Sequence, residues 1–277
     1  MRYNMKEIIG THNLLFVTLD TLRFDVAQEL LEKGETPNLA KLVGPSWEMR
    51  HTPGSFTYAA HHAFFGGFLP TPVMPQSREK RLFASRFLGS ETCGPETFVF
   101  DEPDLVTALR AVGYHTICIG GVGFFNKQTA LSRVFPDLFD ESHWSPALGV
   151  TDPCSTENQF RLAQDILRRL DRTRKFLLFI NLSALHQPNH FYLQGRKIDS
   201  LETHAAALKY VDAQLPLLLH SLQQNNLPTF FIFCSDHGTA YGEDGYHGHR
   251  LAHPTVWTVP YSHGLVQPAL ISSTTLA

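Results

Sequence analysis

The sequence predicts a single α/β domain over residues 1–277, a mostly parallel central sheet flanked by helices. Three short apolar runs carry that expectation: residues 13–19, 176–182 and 230–234, each closed at once by polar side chains. Apolar runs of this length, too short for a helix, read as strands buried on both faces, as in parallel sheets. Residues 101–121 supply the connecting step, a helical stretch, then Gly113, then a strand over 114–121.

The first run ends at Asp20 and so puts a carboxylate at a strand's carboxyl end. Residues 26–33 have helical spacing and stop at Gly34, and a second helix opens at Thr36 and Pro37, cap and first turn. Pro53, Gly54 and Ser55 mark a loop before a helix over 58–65 that Gly66 and Gly67 stop. A hydroxyl at the start of that helix, Ser55 or Thr57, stands where free N–H groups and the helix dipole favour an anion. Residues 71–100 show little periodicity and read as a surface loop or lid. Residues 157–172 form an amphipathic helix with Phe160, Ala163, Ile166, Leu167 and Leu170 on one face. The run at 176–182 leads into Ser183 and His186, and a long helix over 201–224 follows, with Pro216 as its kink. The last run stops at Ser235-Asp236-His237-Gly238, beyond which glycines alternate with His247, His249 and His253 in a loop suited to carrying imidazoles.

Composition narrows the function classes. With 43% hydrophobic and 18% charged residues the chain reads as soluble and globular. A net charge of -3 gives no electrostatic case for a nucleic-acid partner. The four cysteines form no C-x-x-C pair and read as free thiols. No signal-peptide pattern opens the sequence and no apolar run reaches the ~18 residues of a membrane span, so the expectation is a cytoplasmic protein with no membrane partner. Fifteen histidines, clustered, make metal chemistry worth testing.

In a parallel sheet Asp20, Ser183 with His186, and Asp236 with His237 all fall on one edge, where open α/β sheets bind ligands. Taken singly, each reads as readily as a helix cap or a loop histidine. Together with a hydroxyl at a helix start they suggest a hydroxyl nucleophile activated by a divalent metal and acting on an anionic ester.

The motifs Leu19-Asp20-Thr21-Leu22-Arg23-Phe24-Asp25, Thr36-Pro37-Asn38-Leu39-Ala40-Lys41-Leu42, Ala111-Val112-Gly113-Tyr114-His115-Thr116 and Ser235-Asp236-His237-Gly238 stand in this order. Phe56-Thr57-Tyr58-Ala59-Ala60-His61 precedes Gly66-Gly67-Phe68-Leu69-Pro70. The sequence thereby resembles the alkaline phosphatase/arylsulfatase superfamily, and within it the small sulfatase-like hydrolases. The resemblance implies that Asp20, Asp236 and His237 ligate a metal and that Thr57, ten residues before Gly67, is a nucleophile reaching the same ion. It implies that His186, and one of His247, His249 and His253, face the substrate, with Arg23 and His61 as further candidates to hold its oxygens. One Mn, Zn or Mg ion is expected, a second staying open through the late histidines.

Departures from the pattern shape the expected chemistry. Sulfatases carry a Cys or Ser, followed by Pro and Arg, that is oxidised to formylglycine; Thr57, followed by Tyr58-Ala59-Ala60-His61, cannot become that aldehyde. A phosphodiester or phosphonate ester is therefore expected over a sulfate. Transfer to an acceptor other than water, or a non-catalytic accessory role, are the alternatives. Thr21 stands where many sulfatases have a second Asp, and the C-terminal subdomain of typical sulfatases is expected to be lacking.

Overall fold

In the computed structural model residues 3–67 and 104–269 are described, with the backbone of two short strands between them. A short helix α1 (Met5–Ile8) precedes strand β1 (Asn13–Leu19), and helices α2 (Phe24–Glu32) and α3 (Pro37–Val43) lead to strand β2 (Glu48–His51). Helix α4 (Thr57–Gly66) follows, then the short parallel pair β3 (Arg81–Phe83) and β4 (Thr97–Val99). Helix α5 (Leu105–Ala111), strand β5 (His115–Ile119), helix α6 (Ala130–Arg133) and strand β6 (Glu141–His143) come next. Helix α7 (Ser155–Arg169), strand β7 (Phe176–Leu182), helix α8 (Leu201–Gln223) and strand β8 (Thr229–Cys234) complete the parallel part. The hairpin β9 (Ala240–Tyr241) and β10 (His247–Gly248), helix α9 (Pro254–Trp257) and strand β11 (Thr258–Val266) close the described chain.

Seven strands form one sheet in the order β2-β11-β8-β1-β7-β5-β6. The five strands from β8 to β6 run parallel, and β11 pairs antiparallel with both β8 and β2. This is the mostly parallel, helix-flanked sheet that the apolar runs predict. Every residue of β1 and β7 is buried, because both faces are covered. Leu15, Val17, Leu178, Ile180, Phe231 and Phe233 pack against α2, α7 and α8, while Leu14, Phe16, Leu177 and Phe179 pack against α4, α5 and the phenylalanines at 125, 135 and 139. Alternate side chains of one strand thus build two cores, each full burial of a Leu or Phe contributing about 1.5–3 kcal/mol.

One strand lies outside the sequence reading. Residues 258–266 form a strand that the sequence hides, since Pro260 lacks a ladder donor and Gly264 and His263 break the apolar run. Gly264 is there for space, as a Cβ would come within 2.8 Å of the Phe231 ring. Helix α8 continues through Pro216 to Gln223. The loop or lid expected over 71–100 falls almost wholly outside the described residues, as does Cys93; Cys118, Cys154 and Cys234 are free thiols.

Candidate active site and metal centre

Register decides which polar residues meet. Thr18 pairs with Cys234 across β1 and β8, so two residues further on Asp20 stands level with Asp236. Thr18 also pairs with Asn181 on β7, the other neighbour of β1. The three strand ends therefore converge beside the start of α4. Asp20, Asp236 and His237 are each 0% exposed, so no bulk water screens them. One donor atom from each lies within 4.8 Å of the other two.

Each carboxylate has one satisfied and one bare oxygen. Asp20 Oδ2 accepts from Asn181 Nδ2 at 3.0 Å and from Thr57 Oγ1 at 3.3 Å, and Asp236 Oδ1 accepts from the His237 amide at 3.1 Å and the Thr21 amide at 3.3 Å. Asp20 Oδ1 and Asp236 Oδ2 are buried without a hydrogen-bond partner. His237 Nε2 lies 3.9 Å from the first and 3.5 Å from the second. Its Nδ1 is 2.9 Å from the Gly238 carbonyl, an acceptor only, so Nδ1 carries the proton and Nε2 presents a lone pair. Thr57 Oγ1 is 3.3 Å from that Nε2. Burial, and then repulsion by Asp236, pushes the Asp20 carboxyl up to about 6, and burial pushes Asp236 up to about 7. Two buried carboxylate oxygens without partners, on carboxyls that disfavour each other's charge, beside an imidazole lone pair, fit a divalent cation.

A hydrogen-bonded chain fixes this cluster from below. His61 Nδ1 donates to the Thr57 carbonyl at 2.7 Å, leaving Nε2 to accept from Thr18 Oγ1 at 3.2 Å. Thr18 Oγ1 in turn accepts from Asn181 Nδ2 at 3.2 Å, and the same amide group holds Asp20. Asn181 Oδ1 accepts from the Val122 amide at 3.0 Å. Every donor in the chain has one acceptor.

Thr57 is the first residue of α4. Phe56 occupies the N-cap and makes no side-chain cap, which leaves the helix's leading N–H groups beside the Thr57 hydroxyl. Thr57, His186, His249 and Arg250 are among the residues that line a cleft of about 380 Å³. The His249 ring centroid lies 4.6 Å from that of His237 and 5.5 Å from that of His186. Burial, then the nearby His237, His186 and Arg250, pushes His249 down to about 3, so its ring is neutral.

Among the three late histidines, His249 is the one brought to the cluster. His247 is exposed in the β9–β10 hairpin, and His253 caps α9 and meets Asp244 at 3.1 Å. Ser183 Oγ donates to the Leu148 carbonyl at 2.8 Å, and the Thr21 hydroxyl to that of Leu185 at 3.0 Å. His61, placed by the sequence on the substrate, is wholly buried against Phe64, Phe125 and Phe179 and acts as the floor of the site. Arg23, likewise placed there, is 3% exposed and held by Asp25 and Glu243. Asn181, Thr18 and Arg250 have site positions that sequence reasoning missed. For Asn181 a signal existed, a polar residue inside an otherwise apolar strand.

A family model described as Sulfatase matches residues 12–271. No curated protein matches the sequence. Among solved structures the chain is similar to the C-terminal periplasmic domain of the phosphoethanolamine transferase EptC from Campylobacter jejuni, with 15% identity, 92% of this chain and 80% of that one covered, and a TM-score of 0.61. It is similar to an alkaline phosphatase superfamily protein from Vibrio parahaemolyticus, at 21% identity, 94% and 62% coverage, and a TM-score of 0.61. The periplasmic domain of EcEptC from Escherichia coli, solved in complex with zinc, matches at 15% identity, 91% and 72% coverage, and a TM-score of 0.58. At these identities the likenesses show the fold.

Proposed function

The chain belongs to the sulfatase family, within the alkaline phosphatase superfamily, and from that premise we propose that it is a metal-dependent enzyme acting on an anionic phosphoric or phosphonic ester, with Thr57 as its nucleophile. The observation that carries the reading is the Thr57 hydroxyl, 2% exposed and 3.3 Å from both Asp20 Oδ2 and His237 Nε2. Asp20, Asp236, His237 and Thr57 would hold one Mn, Zn or Mg ion. Such an ion, when bound, supplies positive charge that lowers the pKa of a hydroxyl and offsets the charge of the ester.

The chain's own groups account for the remaining steps. Asp20 Oδ2 accepts the hydroxyl proton of Thr57, which lines the cleft. Oγ1 attacks phosphorus, the P–O bond to the leaving group breaks, and the N–H groups leading α4 face the non-bridging oxygens. His186, whose Nδ1 donates to the Gln187 carbonyl at 2.5 Å, would in its imidazolium form give its Nε2 proton to the leaving oxygen, and the ring recovers a proton from the water that releases the group. Water then releases the group from Thr57. Transfer to another acceptor is the second reading, supported by the fold shared with a phosphoethanolamine transferase domain.

A monoanionic diester or phosphonate ester suits this site better than a dianion, because Arg23 is engaged by Asp25 and Glu243. Turnover of bis-p-nitrophenyl phosphate, a phenylphosphonate ester, p-nitrophenyl phosphate and p-nitrophenyl sulfate, with Mn, Zn or Mg, tests the proposal. The first two are expected to be turned over, with a loss of at least ~10³-fold in Thr57→Ala and partial retention in Thr57→Ser. Turnover indifferent to Thr57 would remove it as nucleophile, and metal binding without any turnover would favour an accessory role.

A further inference from the structure

The cleft beside Thr57 is chemically two-sided. Its lining includes His186, His249 and Arg250, and the His249 ring lies 4.6 Å from that of His237 in the metal-ligand cluster. The Arg250 guanidinium lies 5.2 Å over the Phe56 ring, and its amide donates to the Ser55 carbonyl at 2.8 Å, which ties the rim to the start of α4. The same lining holds Val122, Gly123, Phe124, Leu131 and Val150, together with Thr129 and Ser132. Those two hydroxyls are already used by a capping box. Thr129 Oγ1 donates to Ser132 Oγ at 3.0 Å and accepts from the Ser132 amide at 3.2 Å, while Ser132 Oγ donates to the Thr129 carbonyl at 3.1 Å and accepts from the Thr129 amide at 2.9 Å. Nearby Lys127 spends its ammonium on Ser142, at 2.7 Å to the carbonyl and 3.2 Å to Oγ. The apolar part of the lining therefore offers carbon surface, with the hydroxyls of Thr129 and Ser132 closed on each other.

Resting on the anionic-ester reading above, we propose that this cleft selects a diester with one apolar arm. The phosphate or phosphonate monoanion lies under His186, His249 and Arg250, and an alkyl or aryl arm runs along Val122, Phe124, Leu131 and Val150. A second anion or a polyol is disfavoured there, since the Thr129 and Ser132 hydroxyls are already paired with each other. Leu131 is 48% exposed in the free protein, so apolar surface remains for an arm to cover.

Binding, with no turnover required, tests the assignment. Methyl hexyl phosphate and dimethyl phosphate share one anionic head and differ by five methylenes, each worth up to about 0.8 kcal/mol when buried. Calorimetric or competition affinities of the zinc-supplemented protein are expected to favour the hexyl ester by at least ~30-fold. Leu131→Gln, on an exposed position whose change leaves folding intact, is expected to cut that preference by about fivefold or more. Arg250→Gln is expected to weaken both esters by a similar factor, separating head from arm. Equal affinity of the two esters overturns the apolar-arm assignment and leaves the anionic-ester reading standing. A hexyl preference untouched by Leu131→Gln overturns the placement of the arm, and binding of neither ester at millimolar concentration sinks both readings.

Discussion

His61 Nδ1 lies 2.7 Å from the carbonyl oxygen of Thr57, one turn back along α4, and its Nε2 lies 3.2 Å from Thr18 Oγ1 on β1. One imidazole thus joins the helix that carries the hydroxyl to the strand that carries Asp20. Burial pushes it down to about 3, so it is neutral and holds the tautomer this bridge requires. His61→Leu keeps the apolar packing but deprives the Thr18 hydroxyl of its acceptor. The expected cost is about 1–3 kcal/mol of unfolding free energy by denaturant titration. Turnover should fall as well, because Thr18 then no longer fixes Asn181 against Asp20.

The carboxylates and His237 were legible in the sequence because they close apolar runs that share one sheet edge, and the family resemblance singled them out as ligands where each alone read as readily as a cap or a loop histidine. Arg23 and His61 were misplaced for a common reason. Proximity along the chain to a site residue says nothing about which way a side chain turns. Arg23 turns to Asp25 and Glu243, and His61, four residues along the helix from Thr57, faces the phenylalanine core. Asn181 shows in the sequence as a polar residue inside an apolar strand, but what it meets is set by register, opposite Thr18, and no local pattern contains register. Strand β11 was hidden by its proline and glycine: Gly264 lies opposite Phe231 of β8, whose ring takes the space of a side chain, and Pro260 lies outside the β8 register, opposite Met49 of β2.

Removal of metal is expected to act on stability with a definite sign. The folded-state pKa values of Asp20 and Asp236 are raised, first by burial, so the metal-free fold is favoured by their protonated forms. That contribution is full below the unfolded value near 4 and is lost as pH rises through about 6 to 7. In chelator at pH 8 the protein should therefore be strained, and Asp236→Asn should be more stable than wild type by at least ~1 kcal/mol. Zinc or manganese at a hundredfold excess over Kd should stabilise wild type by about 2.7 kcal/mol and Asp236→Asn by far less. Thermal denaturation of both proteins, with and without metal, checks the crossing of the two orders.

A second pH effect lies away from the cluster. His204 on α8 is wholly buried, accepts the Arg23 amide at its Nε2 and lies 3.2 Å from Tyr241 Oη through Nδ1. Burial, then the Arg23 charge, pushes it down from 6.5 to about 4. Below pH 6.5 the unfolded chain takes up a proton that the folded one refuses. The stability held above that pH is lost as pH falls towards 4, in total about 3 kcal/mol. Unfolding free energies between pH 7 and 4.5 should fall by about 2 kcal/mol more in wild type than in His204→Gln. Parallel curves for the two proteins would show that His204 does not titrate in this range.

The loop that brings His249 to the cluster is held at one place by a charge pair whose role has a testable sign. Arg23 donates through Nη1 to Glu243 and to the Thr239 carbonyl at 3.4 Å, and through Nε and Nη2 to Asp25 at 2.9 and 2.5 Å. Glu243 also accepts from the Tyr241 amide at 2.6 Å. Residues 239–243 are thereby fixed to the turn that follows β1, midway between His237 and His249. Were Arg23 a substrate contact restrained by Glu243, then Glu243→Gln would release its charge and lower KM for anionic esters. As a positioning residue it predicts the reverse: Glu243→Gln should loosen the loop, lower kcat/KM by about threefold to tenfold and cost about 1 kcal/mol of stability. Arg23→Met should lose more than Glu243→Gln, and Arg23→Lys should recover part of the loss, since an ammonium reaches one carboxylate but not both. The kinetic sign of Glu243→Gln alone separates the two roles.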